Sequence, residues 1–248
     1  MATATSKQQV LNSAQALLKK KFPAPPEPAK RSVLEEVLFG IVREGVPTAA
    51  ADAAFARLKV AFFDWNEVRV STVQEVADAL GDLPAAGDRA ERIIDFLQEH
   101  FERTYSFDLD DLEKKGLKQA AKQLARYKDK GVTDFVLAWV TQRSFGGHAV
   151  PLDDASVRVL SRLRVIDPEA DADDREAVRA SVEHYVPKAK GYEFTEELIQ
   201  LADQVCVEGV PHCPVCPLKG ECPTGQELLA KGKAGPAVVE KPTRPKSR

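Results

Sequence analysis

All four cysteines of the chain stand close together near its C-terminal end, as Cys206, Cys213, Cys216 and Cys222 in a C-x6-C-x2-C-x5-C spacing. Four thiols gathered in one short segment, with none elsewhere, are a usual way to hold an iron–sulfur cluster or a zinc ion. The fold around them must bring that segment back on itself.

The 248 residues suffice for one domain or two closely packed lobes, and 29% charged with 44% hydrophobic residues describes a soluble globular protein. No run approaches the roughly 20 apolar residues that span a bilayer, and the polar start MATATSKQQVL lacks a secretory signal's hydrophobic region. The expected location is therefore the cytoplasm, with nucleoid association in a bacterium. Thiols there stay reduced, which argues against two structural disulfides. A net charge of −3 neither demands nor forbids nucleic acid as a partner, since a local basic face decides that.

Apolar residues recur at steps of three and four in Val33–Val42, Val73–Leu80, Ile93–Phe101 and Leu198–Val205, so the chain reads as helical almost throughout. Thr72 before Val73 and Thr195 before Glu196-Glu197 look like helix caps followed by acidic first turns. A first helix is expected over about Gln8–Lys21, and the proline-rich Phe22–Lys30 then forms an extended connector. Gly146-Gly147 and Pro151 mark a second break. The stretch from Gln226 onward has no periodic apolar face and is expected to be a disordered basic tail. The aromatic run Phe62-Phe63-Asp64-Trp65 is expected to pack into the core rather than to stack on bases.

The cysteine spacing, with Pro217-Leu218 directly after the third cysteine (CPVCPLKGEC), closely resembles the [4Fe–4S] loop of the endonuclease III and adenine-mismatch glycosylase group. LDDASVRVLSRL over 152–163 and Arg89–Ile94 resemble further stretches of these helix-hairpin-helix DNA glycosylases, in the same order. The resemblance implies an all-α, two-lobed protein. Residues 1–32 would supply a helix and connector packing on the cluster lobe, 33–147 a six-helix lobe with a degenerate hairpin, 148–225 the cluster lobe, and 226–248 the tail. It further implies a [4Fe–4S] cluster on the four cysteines, a monomer, and double-stranded, damaged or mismatched DNA in the cleft between the lobes.

The family's aspartate, which stabilises the cationic sugar as a base leaves, corresponds to Asp153. An aspartate there also serves as an N-terminal cap. The catalytic lysine of bifunctional members falls on Phe135, which cannot form a Schiff base, so lyase activity is expected to be absent. The family's Leu-Pro-Gly-x-Gly hairpin becomes Asp129-Lys130-Gly131-Val132-Thr133-Asp134, leaving Lys130, Gly131 and Val132 as candidate DNA contacts, with His148, which flanks the Gly146-Gly147 break near Asp153, as a cleft candidate. Aligning SVLEEVLF with the adenine-mismatch enzymes makes Glu36 the candidate general acid, although paired acids also suit a helix start. Glu208 and His212 stand where the family often has basic residues, which predicts weak binding of ordinary duplex. Two readings remain: a monofunctional DNA N-glycosylase, and a non-catalytic DNA-structure or lesion binder or interaction module. A zinc-stabilised helical scaffold is a third.

Overall fold

The computed structural model describes residues 7–166 and 175–236. These form α-helices with four short 3₁₀ turns, and no strand is present among the described residues. The helices are α1 (Lys7–Lys21), α2 (Val33–Arg43), α3 (Thr48–Ala61), α4 (Trp65–Val70), α5 (Val73–Leu80), α6 (Ala86–Thr104), α7 (Leu117–Leu124), α8 (Asp134–Arg143), α9 (Asp154–Arg162), α10 (Arg175–Glu183), α11 (Gly191–Gln204) and α12 (Pro223–Ala230). None is long and apolar enough to cross a membrane.

Two apolar clusters organise them. The first runs from Val33 to Val140 and gathers side chains of α2 to α8. Six of these helices have eight residues or more; α4 adds a short seventh, started where Asp64 accepts a hydrogen bond from the Glu67 amide. α2 is buried on nearly every side, as expected for a helix with so little polar face. Gly40 lets α8 approach it closely, because a Cβ there would lie 3.2 Å from Val136 Cγ1 and 3.3 Å from Trp139 Cδ1. At its C-terminal end, Arg89 of α6 donates to the carbonyls of Ile41 (2.6 Å), Val42 (3.1 Å) and Glu44 (2.6 Å), filling acceptors that a helix terminus leaves open.

The second cluster joins Leu11, Ala14, Leu18 and Phe22 from the start of the chain to residues between Val150 and Leu218. The connector between α1 and α2 carries no helix and is tied down through its carbonyls. Tyr192 donates to Pro26 at 3.3 Å, and Arg143 donates to Pro28 at 2.7 Å.

α11 serves both clusters: Tyr192 and Ile199 enter the first, Phe194, Leu198 and Leu201 the second. Between those faces, Arg43 of α2 meets Glu196 of α11 at 2.6 Å, and the Thr48 hydroxyl lies 2.7 Å from Glu196 Oε2. All three side chains are buried.

Three local expectations are corrected here. Thr195 does not cap a helix; α11 begins at Gly191, after the Lys188–Lys190 turn, and the Thr195 hydroxyl donates back to the Gly191 carbonyl at 3.0 Å. Glu196 and Glu197 therefore lie inside the helix and are buried, not on an acidic first turn. Phe63 is 95% exposed, while Trp65 stacks on Phe55 and Phe62 packs against the first cluster. The stretch from Gln226 starts inside α12, because the Cys222 sulfur accepts the Gly225 amide and Pro223 opens the helix; residues 237–248 lie outside the described residues.

Two outcomes follow from the buried charges. Removing the Glu196 carboxylate leaves Arg43 enclosed without its counter-charge, so Glu196→Ala should cost about 3–5 kcal/mol in denaturant unfolding. Among the described residues neither carboxylate oxygen of Glu197 meets a donor, and burial, followed by the charge of Glu193, pushes its carboxyl up to about 7. A folded value above the unfolded one means that the stabilising contribution is complete below the ordinary glutamate range and is lost as pH rises toward 7. Unfolding midpoints measured from pH 4.5 to 8 should thus fall more steeply in the parent protein than in Glu197→Gln.

Candidate active site and cysteine loop

The turn between the Ala125–Tyr127 3₁₀ segment and α8 is held from inside. The Tyr127 carbonyl accepts the amides of Lys130 (2.9 Å) and Val132 (3.1 Å). Gly131 has φ +90°, and a Cβ there would run into the backbone carbonyl of Arg92. Glycine is required at this point for both reasons.

Side chains lace the turn further. Arg92 donates to the Gly131 carbonyl at 3.0 Å and pairs with Glu44 at 2.6 Å, while the Thr133 hydroxyl donates to the same carboxylate at 3.0 Å. Lys128 pairs with Asp134 at 2.5 Å. Of the candidate contacts in this turn, Lys130 is exposed and Gly131 half-buried, but Val132 is fully buried and its amide is already engaged. Val132 is thus corrected from a phosphate contact to a core residue, because its N–H closes the turn. His148, whose ring is exposed, has Nε2 2.8 Å from the Val186 carbonyl.

Phe135 is 2% exposed and belongs to the first apolar cluster. Its position offers no amine and no open approach.

Asp153 is the N-cap of α9. Its Oδ1 accepts the Ser156 amide at 2.6 Å, while Oδ2 is buried and meets no hydrogen-bond donor among the described residues. One oxygen thus starts the helix, and the other is uncommitted among the described residues. Unsatisfied buried acceptors are uncommon and call for an explanation.

Glu36 lies elsewhere. Fully buried in the first cluster's helix α2, it accepts from Trp139 Nε1 at 2.9 Å and lies 3.8 Å from the Arg31 guanidinium. Burial raises its pKa, with Trp139 and the charges of Arg31 and Arg143 pulling the other way. Asp153 and Glu36 share no hydrogen-bond partner among the described residues.

The far end of α9 organises the cysteine segment. Arg162 donates to Cys206 Sγ at 3.2 Å and to the carbonyls of Val207 (2.8 Å) and Glu208 (2.9 Å). Arg158, one turn earlier, donates to the Cys206 carbonyl at 3.1 Å. All four cysteines line a single pocket with Arg162, Val205 and Leu228.

No family model matches the sequence. Solved structures do match. A trapped endonuclease III–DNA covalent intermediate shares 19% identity over 91% of this chain and 100% of its own, with a TM-score of 0.66. A non-covalent endonuclease III–DNA complex gives 19%, 92% and 100%, with a TM-score of 0.68. A thermostable thymine-DNA glycosylase gives 17%, 89% and 97%, with a TM-score of 0.62. The chain has the helix-hairpin-helix glycosylase fold.

On this glycosylase fold the cysteines present an unusual donor set. Burial pushes the thiols of Cys213 and Cys222 up, and that of Cys216 to about 11, with neighbouring thiolate charge adding to the effect. Four cysteine sulfurs facing one pocket are chemically suited to a metal centre, which binds them as thiolates. A lone zinc draws its sulfurs to about 2.3 Å from one point. Among the described residues, no three His, Cys, Asp or Glu side chains are gathered around such a point.

Sequence reasoning missed the Glu44–Arg92–Thr133 lacing and Arg162. Charged helix positions read as solvated, and nothing in the local pattern announces partners distant in the chain. Gly131→Ala should therefore destabilise the glycosylase fold by about 1–3 kcal/mol, the cost of a forced backbone conformation, in calorimetric unfolding.

Proposed function

We infer that the protein is a monofunctional DNA N-glycosylase of base-excision repair, acting as a monomer in the cytoplasm on double-stranded DNA that carries a damaged or mismatched base. The uncommitted Oδ2 of Asp153 is the observation that carries this reading. Loss of a base develops positive charge on the sugar, and a carboxylate already fixed in orientation by its helix cap stabilises that charge without reorganising. Asp153 is 4% exposed, and on this reading its substrate comes as a nucleotide turned out of the duplex. The fold's likeness to DNA-bound structures supports DNA as the partner.

Glu36 is better assigned to the core than to proton transfer, because Trp139 and Arg31 already engage its carboxylate. Phe135, buried where an amine would have to stand, supports the absence of AP-lyase chemistry.

We assign a [4Fe–4S] cluster to Cys206, Cys213, Cys216 and Cys222. The support is the pocket that all four cysteines share and a spacing that resembles the family's cluster loop. When bound, the cluster would cross-link the loop, a structural task. Arg162 holds the loop's carbonyls and the first sulfur in place.

A second reading, a non-catalytic DNA-structure or lesion binder, draws on the hairpin. Val132 spends its amide internally, and the Glu44 carboxylate sits beside the turn, which removes phosphate contacts and flattens the salt dependence of binding.

Duplexes bearing abasic, oxidised and mismatched bases separate the readings. Base release seen after alkali, no nicking without it, no borohydride-trapped adduct and a loss of about 100-fold or more in Asp153→Asn are expected. Binding without release on every duplex would favour the second reading, and a trapped adduct would refute the absence of lyase chemistry. Anaerobically purified protein should be brown with about four irons per chain. Colourless, zinc-loaded protein would overturn the cluster assignment.

A further inference from the structure

The segment that delivers Asp153 is fixed from both sides. The Ala149 carbonyl accepts from Gln142 Nε2 at 2.7 Å, and the Val150 amide donates to Glu183 Oε1 at 2.9 Å. The first turn of α9 then carries a second buried polar atom besides Asp153 Oδ2 that has no hydrogen-bond partner among the described residues, the Oγ of Ser156. A serine inside a helix usually returns its hydroxyl to a carbonyl one turn earlier or turns it to solvent. Ser156 is fully enclosed and makes no such bond among the described residues.

The two atoms belong to one small unit. The Ser156 amide donates to Asp153 Oδ1 at 2.6 Å, so the serine and the carboxylate lie side by side. Oδ2 shares its carbon with that oxygen, and Oγ hangs from the residue whose amide makes the bond. A carboxylate oxygen only accepts, whereas a hydroxyl also donates. Together they suit a water that gives one proton to Oδ2 and accepts the Ser156 hydroxyl, and buried polar groups without protein partners are commonly met in this way.

Base release by the glycosylase inferred above consumes a water. With Phe135 buried where an amine would stand, no side-chain nucleophile replaces it.

We propose that Ser156 holds the attacking water together with Asp153, its Oγ donating to the water oxygen while Oδ2 accepts one of the water's protons. The assignment rests on the glycosylase reading and deepens it. Two hydrogen bonds leave one lone pair of the water to face the sugar. The water oxygen bonds to the sugar carbon as the carbon–nitrogen bond breaks. The bonding pair leaves with the base, which takes a proton from solvent, and the water's surplus proton passes to Oδ2 and on to solvent. An abasic sugar and a free base result, with water the only co-reactant.

The test uses full-length protein and the duplexes with oxidised or mismatched bases from which the parent releases a base. Ser156→Ala is expected to slow single-turnover release about tenfold, the worth of one hydrogen bond made in the transition state, with duplex affinity equal to the parent's. In buffer containing methanol, the share of methyl glycoside in the sugar product, read by mass spectrometry, should rise in Ser156→Ala, because a water no longer held competes less well. A residue that only packs would leave that ratio unmoved. A crystal structure of the parent should show an ordered water within about 3.2 Å of both Oδ2 and Oγ, a result independent of whether the variant folds. An unchanged rate and product ratio in Ser156→Ala beside an inactive Asp153→Asn overturns the role of Ser156 and leaves the glycosylase reading standing. No water between the two oxygens also overturns the proposal alone, and a parent that releases no base from any duplex overturns both.

Discussion

The buried contact between Arg43 and Glu196 registers the two apolar clusters to each other, because it encloses an ion pair between α2 and α11. A buried ion pair tolerates little displacement, since moving either partner leaves the other charge uncompensated in a poorly solvating interior. Thr48 adds a hydroxyl to the same carboxylate, and the Arg43 guanidinium lies 5.9 Å from the Trp139 ring centroid. α2 and α11 are thereby registered to each other, and with them α8, which packs on α2, and α9, which packs on α11. The relative placement of the hairpin and Asp153 depends on that registration.

The helices themselves were largely legible in the sequence, because apolar periodicity and capping are local. Thr72 before Val73 became a capping box with Glu75, and the prolines of the connector excluded helix as their missing amides require. Partnership was not legible. Glu196 and Glu197 looked like solvated first-turn acids and lie buried, since the start of α11 is set by a turn upstream of them. Arg92 gave no sign of reaching Gly131 and Glu44, because such contacts depend on how whole helices cross.

At the candidate site the same division holds. Asp153 was legible as a cap, and the structure confirms that role on one oxygen while the other keeps no partner among the described residues. Glu36 was placed by alignment with a single helix, and the structure encloses it behind Trp139 and Arg31. The hairpin shows why a substitution should be read with its surroundings. Thr133 does more than replace a glycine: its hydroxyl recruits Glu44, so a carboxylate stands beside a turn whose Lys130 and Val132 amides are already engaged by the Tyr127 carbonyl.

The second apolar cluster draws on both ends of the chain, and this bears on how the molecule is made. α1 carries Leu11, Ala14, Leu18 and Phe22, whose partners lie between Val150 and Leu218. At roughly 5–20 residues per second, synthesis keeps that stripe waiting on the order of ten seconds or more for its partner helices. The first cluster is contiguous from Val33 to Val140, apart from Tyr192 and Ile199, and can condense during the delay. The nascent chain thus emerges as a nearly finished lobe trailing an amphipathic helix, a stage at which a chaperone has a defined segment to hold.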